Sequence, residues 1–280
     1  MTGREKSKRW KIGAALCLGL GLGISLAAAL WWANRFPETL PLRVSRLPDF
    51  GDMATEEYDP ALIPFLDDYM ELQKQEVWSG CLGDYDDTAP PSAYISVVRA
   101  NSVQEDLATP HDLYLLCGMV DAEGNLNWQI MALMGTHTFG RGFKAEQFDN
   151  VLGYDGWKIS LLAGLSAGYR DYYVSTRPDG RPCLVAVGSN AKEADVDGDG
   201  RREIISCSSF DWSRPFTQWE ILDKAEGEEA FLYTLNPYED GFVNLGVHFD
   251  SGERGFVIKD SHDKVTARYA LQEGAMVRMP

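Results

Sequence analysis

From about residue 90 onward, the chain alternates short β-type runs with turn chemistry, and no regular strand–helix alternation appears. The runs, rich in Val, Ile, Thr, Tyr, Phe and Trp, cover 93–99, 112–120, 126–134, 157–162, 171–176, 183–188, 203–209, 218–222, 230–235, 243–249, 255–259 and 265–271. Between or beside them stand Asp121-Ala-Glu-Gly124, Asp155-Gly156, Asp179-Gly180, Asp240-Gly241 and Ser251-Gly252, all favoured in tight turns. A parallel sheet needs crossover connections that are usually helical, and the absence of a regular strand–helix alternation argues against it. The expectation is a mainly β, antiparallel domain, either propeller-like or a sandwich. Residues 179–185 and 199–205 echo one another at an offset of twenty, which suits tandem hairpins.

The N-terminus has a different texture. Arg4, Lys6, Lys8, Arg9 and Lys11 precede an uncharged stretch over 12–33 that ends near Trp31 and Trp32. As a helix this stretch would be about 33 Å long, enough to cross a hydrocarbon core of about 30 Å. The basic flank directs the N-terminus to the cytoplasm. The expected organisation is a cytoplasmic basic tail over 1–11, a transmembrane signal-anchor helix over 12–33, a stalk over 34–58 with Pro37, Pro41 and Pro48, and an extracytoplasmic β-rich domain over 59–280. Cleavage and secretion is the alternative, since Ala27 and Ala29 form an A-x-A site behind the apolar run. Within the domain, Leu62, Phe65, Leu66, Tyr69, Met70 and Leu72 have helical spacing, giving one amphipathic helix over about 60–76.

Charge excludes one class of partner. The chain carries 26 Lys/Arg and 42 Asp/Glu, and six of the basic residues but only one acid lie before residue 36. The remaining 245 residues therefore hold 20 basic and 41 acidic side chains, a net of −21. Such a surface repels nucleic acid and attracts cations. The expected partner is an extracellular protein or glycan, with membrane attachment through the N-terminal helix. Four cysteines lie outside the apolar segment, and in an exported domain they are expected to form Cys183–Cys207 and Cys81–Cys117 disulfides.

Residues 195–203 read Asp-Val-Asp-Gly-Asp-Gly-Arg-Arg-Glu. Oxygen ligands from Asp195, Asp197, Asp199 and Glu203, with the main-chain carbonyl of Arg201, would form a hard-cation cage suited to Ca²⁺. Gly198 and Gly200 permit the tight wrapping. Position twelve of the motif is Ser206 and a β-branched run follows, which separates the loop from an EF-hand. The loop resembles the DxDGDGxxD calcium loop of FG-GAP/VCBS-type repeats, with Glu203 in place of the commoner Asp. The resemblance spans about 15 residues in a single copy, and implies a Ca²⁺ site on a loop between neighbouring strands of a β-propeller.

An enzyme reading rests on Gly164-Leu-Ser166-Ala-Gly168, which fits the G-x-S-x-G nucleophile elbow, with Asp211 and His248 or His262 following in hydrolase order. An elbow must open a helix, yet 169–175 reads as strand. The expected function is therefore non-enzymatic binding or scaffolding at the cell surface. A serine hydrolase using Ser166, or a purely structural envelope module, stands as the alternative. Trp78, Trp128, Trp157, Trp212 and Trp219 could stack on sugars, although core packing accounts for tryptophans in a β domain.

Overall fold

The structure is a computed structural model that describes residues 36–47, 63, 66–82, 93–100, 111–121, 123–137, 142–162, 168–207, 218–224, 229–236, 246–250, 252, 255–259, 262 and 264–280. The expected membrane span lies outside these residues. Among the described residues no helix is long and apolar enough to cross a membrane.

Described elements begin with β1 (Thr39–Leu40), β2 (Arg43–Leu47), the helix α1 (Tyr69–Gln75), β3 (Glu76–Leu82), β4 (Ala93–Ala100), β5 (His111–Val120) and β6 (Leu126–His137). They continue with β7 (Phe143–Val151), β8 (Tyr154–Leu162), β9 (Tyr169–Thr176), β10 (Pro182–Ser189), β11 (Lys192–Ala194) and β12 (Glu203–Cys207). The last six are β13 (Trp219–Lys224), β14 (Ala230–Leu235), β15 (Gly246–Asp250), β16 (Gly255–Lys259), β17 (Val265–Gln272) and β18 (Ala275–Arg278). All strand pairs within the sheets are antiparallel, as the turn chemistry implies.

Four sheets form in chain order. The first is β3-β4-β5-β6, the second β10-β9-β8-β7, the third β11-β12-β13-β14-β2 and the fourth β1-β18-β17-β16-β15. Strands β1 and β2 fall within the expected stalk, yet Leu40 pairs with Met276 of the fourth sheet and Ser45 with Leu232 of the third. The residues just after the apolar N-terminal stretch thus tie into the last half of the chain.

Successive sheets pack face on face. Ile95, Leu115 and Ala132 meet Ile159, Tyr172 and Val174 between the first and second sheets. Val151, Tyr173 and Val185 meet Ile204 and Leu222 between the second and third. Ile205, Trp219 and Ile221 meet Phe256, Tyr269 and Met276 between the third and fourth, with Trp219 edge-on to Phe256 at 5.4 Å. The inner sheets are covered on both faces. That is why β12 is buried at every position and reads Glu-Ile-Ile-Ser-Cys without polar alternation. Each fully buried aliphatic or aromatic side chain contributes about 1.5–3 kcal/mol, so three such layers provide the main folding drive.

The outer face of the first sheet is capped by Ile63, Leu66 and Leu72, which pack on Val98, Tyr114 and Leu116. Only the last part of the expected amphipathic helix is helical among the described residues: Ile63 lies in a bend and residues 66–67 in a turn, and α1 starts after the N-cap Asp68, whose carboxylate accepts from the Met70 and Glu71 amides, both at 3.1 Å. The expected start at Asp59-Pro60 lies outside the described residues. Asp68→Ala should cost about 1 kcal/mol, read as a lower denaturation midpoint at unchanged slope.

The expected disulfides are absent: Cys81, Cys117, Cys183 and Cys207 are all unbridged. Cys81 and Cys117 lie on β3 and β5 with β4 between them, about 10 Å apart at the usual strand spacing and beyond disulfide reach. Cys183 faces the layer between the second and third sheets, whereas Cys207 faces the layer between the third and fourth. Burial pushes the Cys117 thiol up to about 11, so it serves as a small apolar core residue.

Candidate metal centre

Residues 195–202 connect β11 to β12, and the hairpin closes with Ala194 opposite Glu203. The loop is wound by its own carboxylates. Asp195 Oδ1 accepts from the Gly198 amide at 2.7 Å, Asp197 Oδ1 from the Asp199 amide at 3.0 Å, and Asp199 Oδ1 from the Arg201 amide at 2.7 Å. Gly198 and Gly200 take φ of 86° and 91°, left-handed conformations that a Cβ would disfavour. Wrapping brings ligand oxygens of Asp195, Asp197 and Glu203 within 4.8 Å of one another.

Asp199 is aimed elsewhere. Its Oδ2 receives the Arg201 guanidinium, with Nε at 2.7 Å. Burial raises the Asp199 carboxyl, and the Arg201 hydrogen bonds outweigh that effect and hold it below the usual range. The loop thus groups three of the four anticipated carboxylates, while the fourth pairs with the side chain of Arg201, whose carbonyl was the anticipated fifth ligand.

Glu203 forms the floor. It is 1% exposed, and its Oε2 accepts from the Val196 amide at 2.6 Å. Burial pushes its carboxyl up to about 8, with the negative charges of Asp197, Asp223 and Asp199 adding to the rise. Asp223 was not visible as a site residue in the sequence. Ile204 pairs with Leu222, so the next step of the same register sets Asp223 beside Glu203 on one face of the sheet. Burial and the nearby Asp197 and Asp199 raise the Asp223 carboxyl as well. The only signal available in advance was an acid directly after the apolar run 218–222.

The loop is also clamped to the neighbouring sheet. Arg202 forms a parallel bridge with Val151, its amide donates to the Asn150 carbonyl at 2.9 Å, and its own carbonyl accepts from the Leu152 amide at 2.9 Å. The Asn150 side-chain amide donates to the Gly200 carbonyl at 2.8 Å, and Arg202 pairs with Asp149 at 2.8 Å. Asn150 and Leu152 hold φ of 49° and 53°; for a buried Leu this is strained backbone kept in place by the docking. Converging acidic oxygens on such a rigid frame can bind a hard divalent cation and neutralise the repulsion among its ligands.

The hydrolase geometry has less support. Ser166 and Asp211 lie outside the described residues. The segment after Gly168 is the strand β9, where a nucleophile elbow requires the start of a helix. No protein-family model matches this chain, and no curated protein or solved structure shows significant similarity to it.

Proposed function

We propose that the chain is a membrane-anchored, extracytoplasmic calcium-binding protein whose β layers act as a non-enzymatic binding or scaffolding module. The observation that carries the metal assignment is the convergence of Asp195, Asp197 and Glu203 within 4.8 Å on a loop held by backbone hydrogen bonds. Oxygen-only donors favour Ca²⁺ over the transition metals, which prefer imidazole or thiolate. Asp223 adds a further carboxylate beside Glu203. The anchor reading rests on the uncharged 12–33 segment and its basic flank. For the architecture, an open stack is favoured over a closed propeller. The face of the first sheet that a ring would turn toward the fourth is occupied by Ile63, Leu66 and Leu72.

Calorimetry on the full chain tests the metal site. Calcium should bind at about one ion per chain with Kd of about 10⁻⁴–10⁻³ M, as in extracellular modules. Asp197→Ala combined with Asp199→Ala should abolish uptake, and Asp223→Asn should weaken it about tenfold. Equal uptake by all three proteins would remove the assignment.

A further inference from the structure

A second site lies beyond the metal loop, at the end of the second sheet where three sheets meet. A cleft of about 680 Å³ opens there, within the roughly 300–1,000 Å³ usual for small-molecule sites. The first sheet contributes Cys81, whose carbonyl accepts from Trp157 Nε1 at 2.8 Å, and the third contributes Lys224 at the end of β13. The wall is aromatic and preset. On the first-sheet side of β8, Trp157 is fixed edge-on to Trp78 at 4.9 Å; on the opposite side, Lys224 Nζ lies 4.2 Å over the Tyr154 ring while donating to its hydroxyl at 3.1 Å.

Polar groups stand ready beside that wall. Among the described residues, the Gln147 side-chain amide and the Thr176 hydroxyl hydrogen-bond to no other group, and both line the cleft. Asp155 uses Oδ1 to accept from the Asn150 amide at 2.7 Å and is exposed at the rim. Charge is balanced: Arg177 and Lys224 face Asp149 and Asp155, within a chain of net charge −16. An anion gains little from such a lining, whereas a neutral ligand with many hydroxyls can use donors, acceptors and an apolar ring face together.

We propose that this cleft binds a neutral pyranose unit of a glycan, its ring against Trp157 and its hydroxyls on Gln147, Asp155 and Thr176, which the strand register sets on the same face of the second sheet. This deepens the binding-module reading but uses none of the proposed metal ligands, so calcium uptake and sugar binding can fail separately. The test is saturation-transfer NMR and calorimetry on the full chain with methyl β-glucopyranoside, lactose and diacetylchitobiose, alongside glucuronic acid and free amino acids. At least one neutral sugar should bind with a Kd of about 1 mM or tighter. Gln147→Ala with Thr176→Val should weaken that binding at least tenfold without moving the melting temperature, because neither side chain supports an internal hydrogen bond among the described residues. No transfer from any neutral sugar at about 10 mM overturns the proposal. So does binding confined to the acid or the amino acids, or sugar binding indifferent to the double variant.

Discussion

Without divalent ions, the chain should lose about 3–4 kcal/mol of stability as pH rises from about 5 to 8. The buried Glu203 carboxyl titrates near 8 in the folded state, against an ordinary value of 4.5. Between those values the folded chain holds a proton that the unfolded chain has released, so rising pH favours unfolding. Asp223, raised by burial and by Asp197, acts in the same direction. Carboxylates held low, such as Asp121 and Asp179 by backbone hydrogen bonds, act oppositely, but their effect is complete above about pH 5. Denaturation in EDTA at pH 5, 6, 7 and 8 measures the slope, and Glu203→Gln, which carries no titrating proton, should remove most of it. A flat wild-type profile would contradict the buried floor of the loop. Calcium should reverse the trend, because a cation takes the place of the proton and its binding tightens as pH rises.

Lys158→Ala should cost about 3–5 kcal/mol. Lys158 Nζ on β8 reaches Glu193 Oε1 on β11 at 2.8 Å and the Ala191 carbonyl at 2.6 Å, and the two side chains are only 12% and 20% exposed. The Tyr173 hydroxyl donates to the same Glu193 oxygen. Removing the ammonium leaves a carboxylate in low dielectric with one neutral donor, and desolvation is then uncompensated. Replacing the pair together, Lys158→Met with Glu193→Leu, should recover most of the loss, since a buried ion pair and a packed apolar pair are often close in free energy. Chemical denaturation of the single and double variants distinguishes these outcomes. Equal destabilisation would mean that the side chains act by shape and not by charge. The pair spans the second and third sheets directly behind the β11 hairpin, so its loss should also loosen the acidic loop.

Much of the fold was legible in the residues. Among the described residues, every β-type run from 93 onward overlaps a strand, because β-branched and aromatic clusters bounded by turns have few other ways to bury themselves. Two of the strands that escaped notice show why they did. β7 reads Phe-Lys-Ala-Glu-Gln-Phe-Asp-Asn-Val and lies at a sheet edge, where one flank stays in water. β2 reads Arg-Val-Ser-Arg-Leu and is a strand only because β14 supplies its hydrogen bonds. Asp155-Gly156 looked like a turn. Gly156 is instead inside β8, required by the closeness of Val174, and the reversal occurs at Asn150–Gly153.

Composition and local pattern alone determined an acidic, antiparallel β chain and a contiguous loop of carboxylates, because both depend on residues adjacent in sequence. Tertiary structure decided what the loop rests on: Asp223 arrives through the β12–β13 register, and the strained β7–β8 turn arrives from the neighbouring sheet. It also decided that the cysteines stay apart and that three sheets meet at one aromatic cleft. Those outcomes depend on the distances between layers and on which face each strand turns inward, quantities that exist only once the sheets are packed.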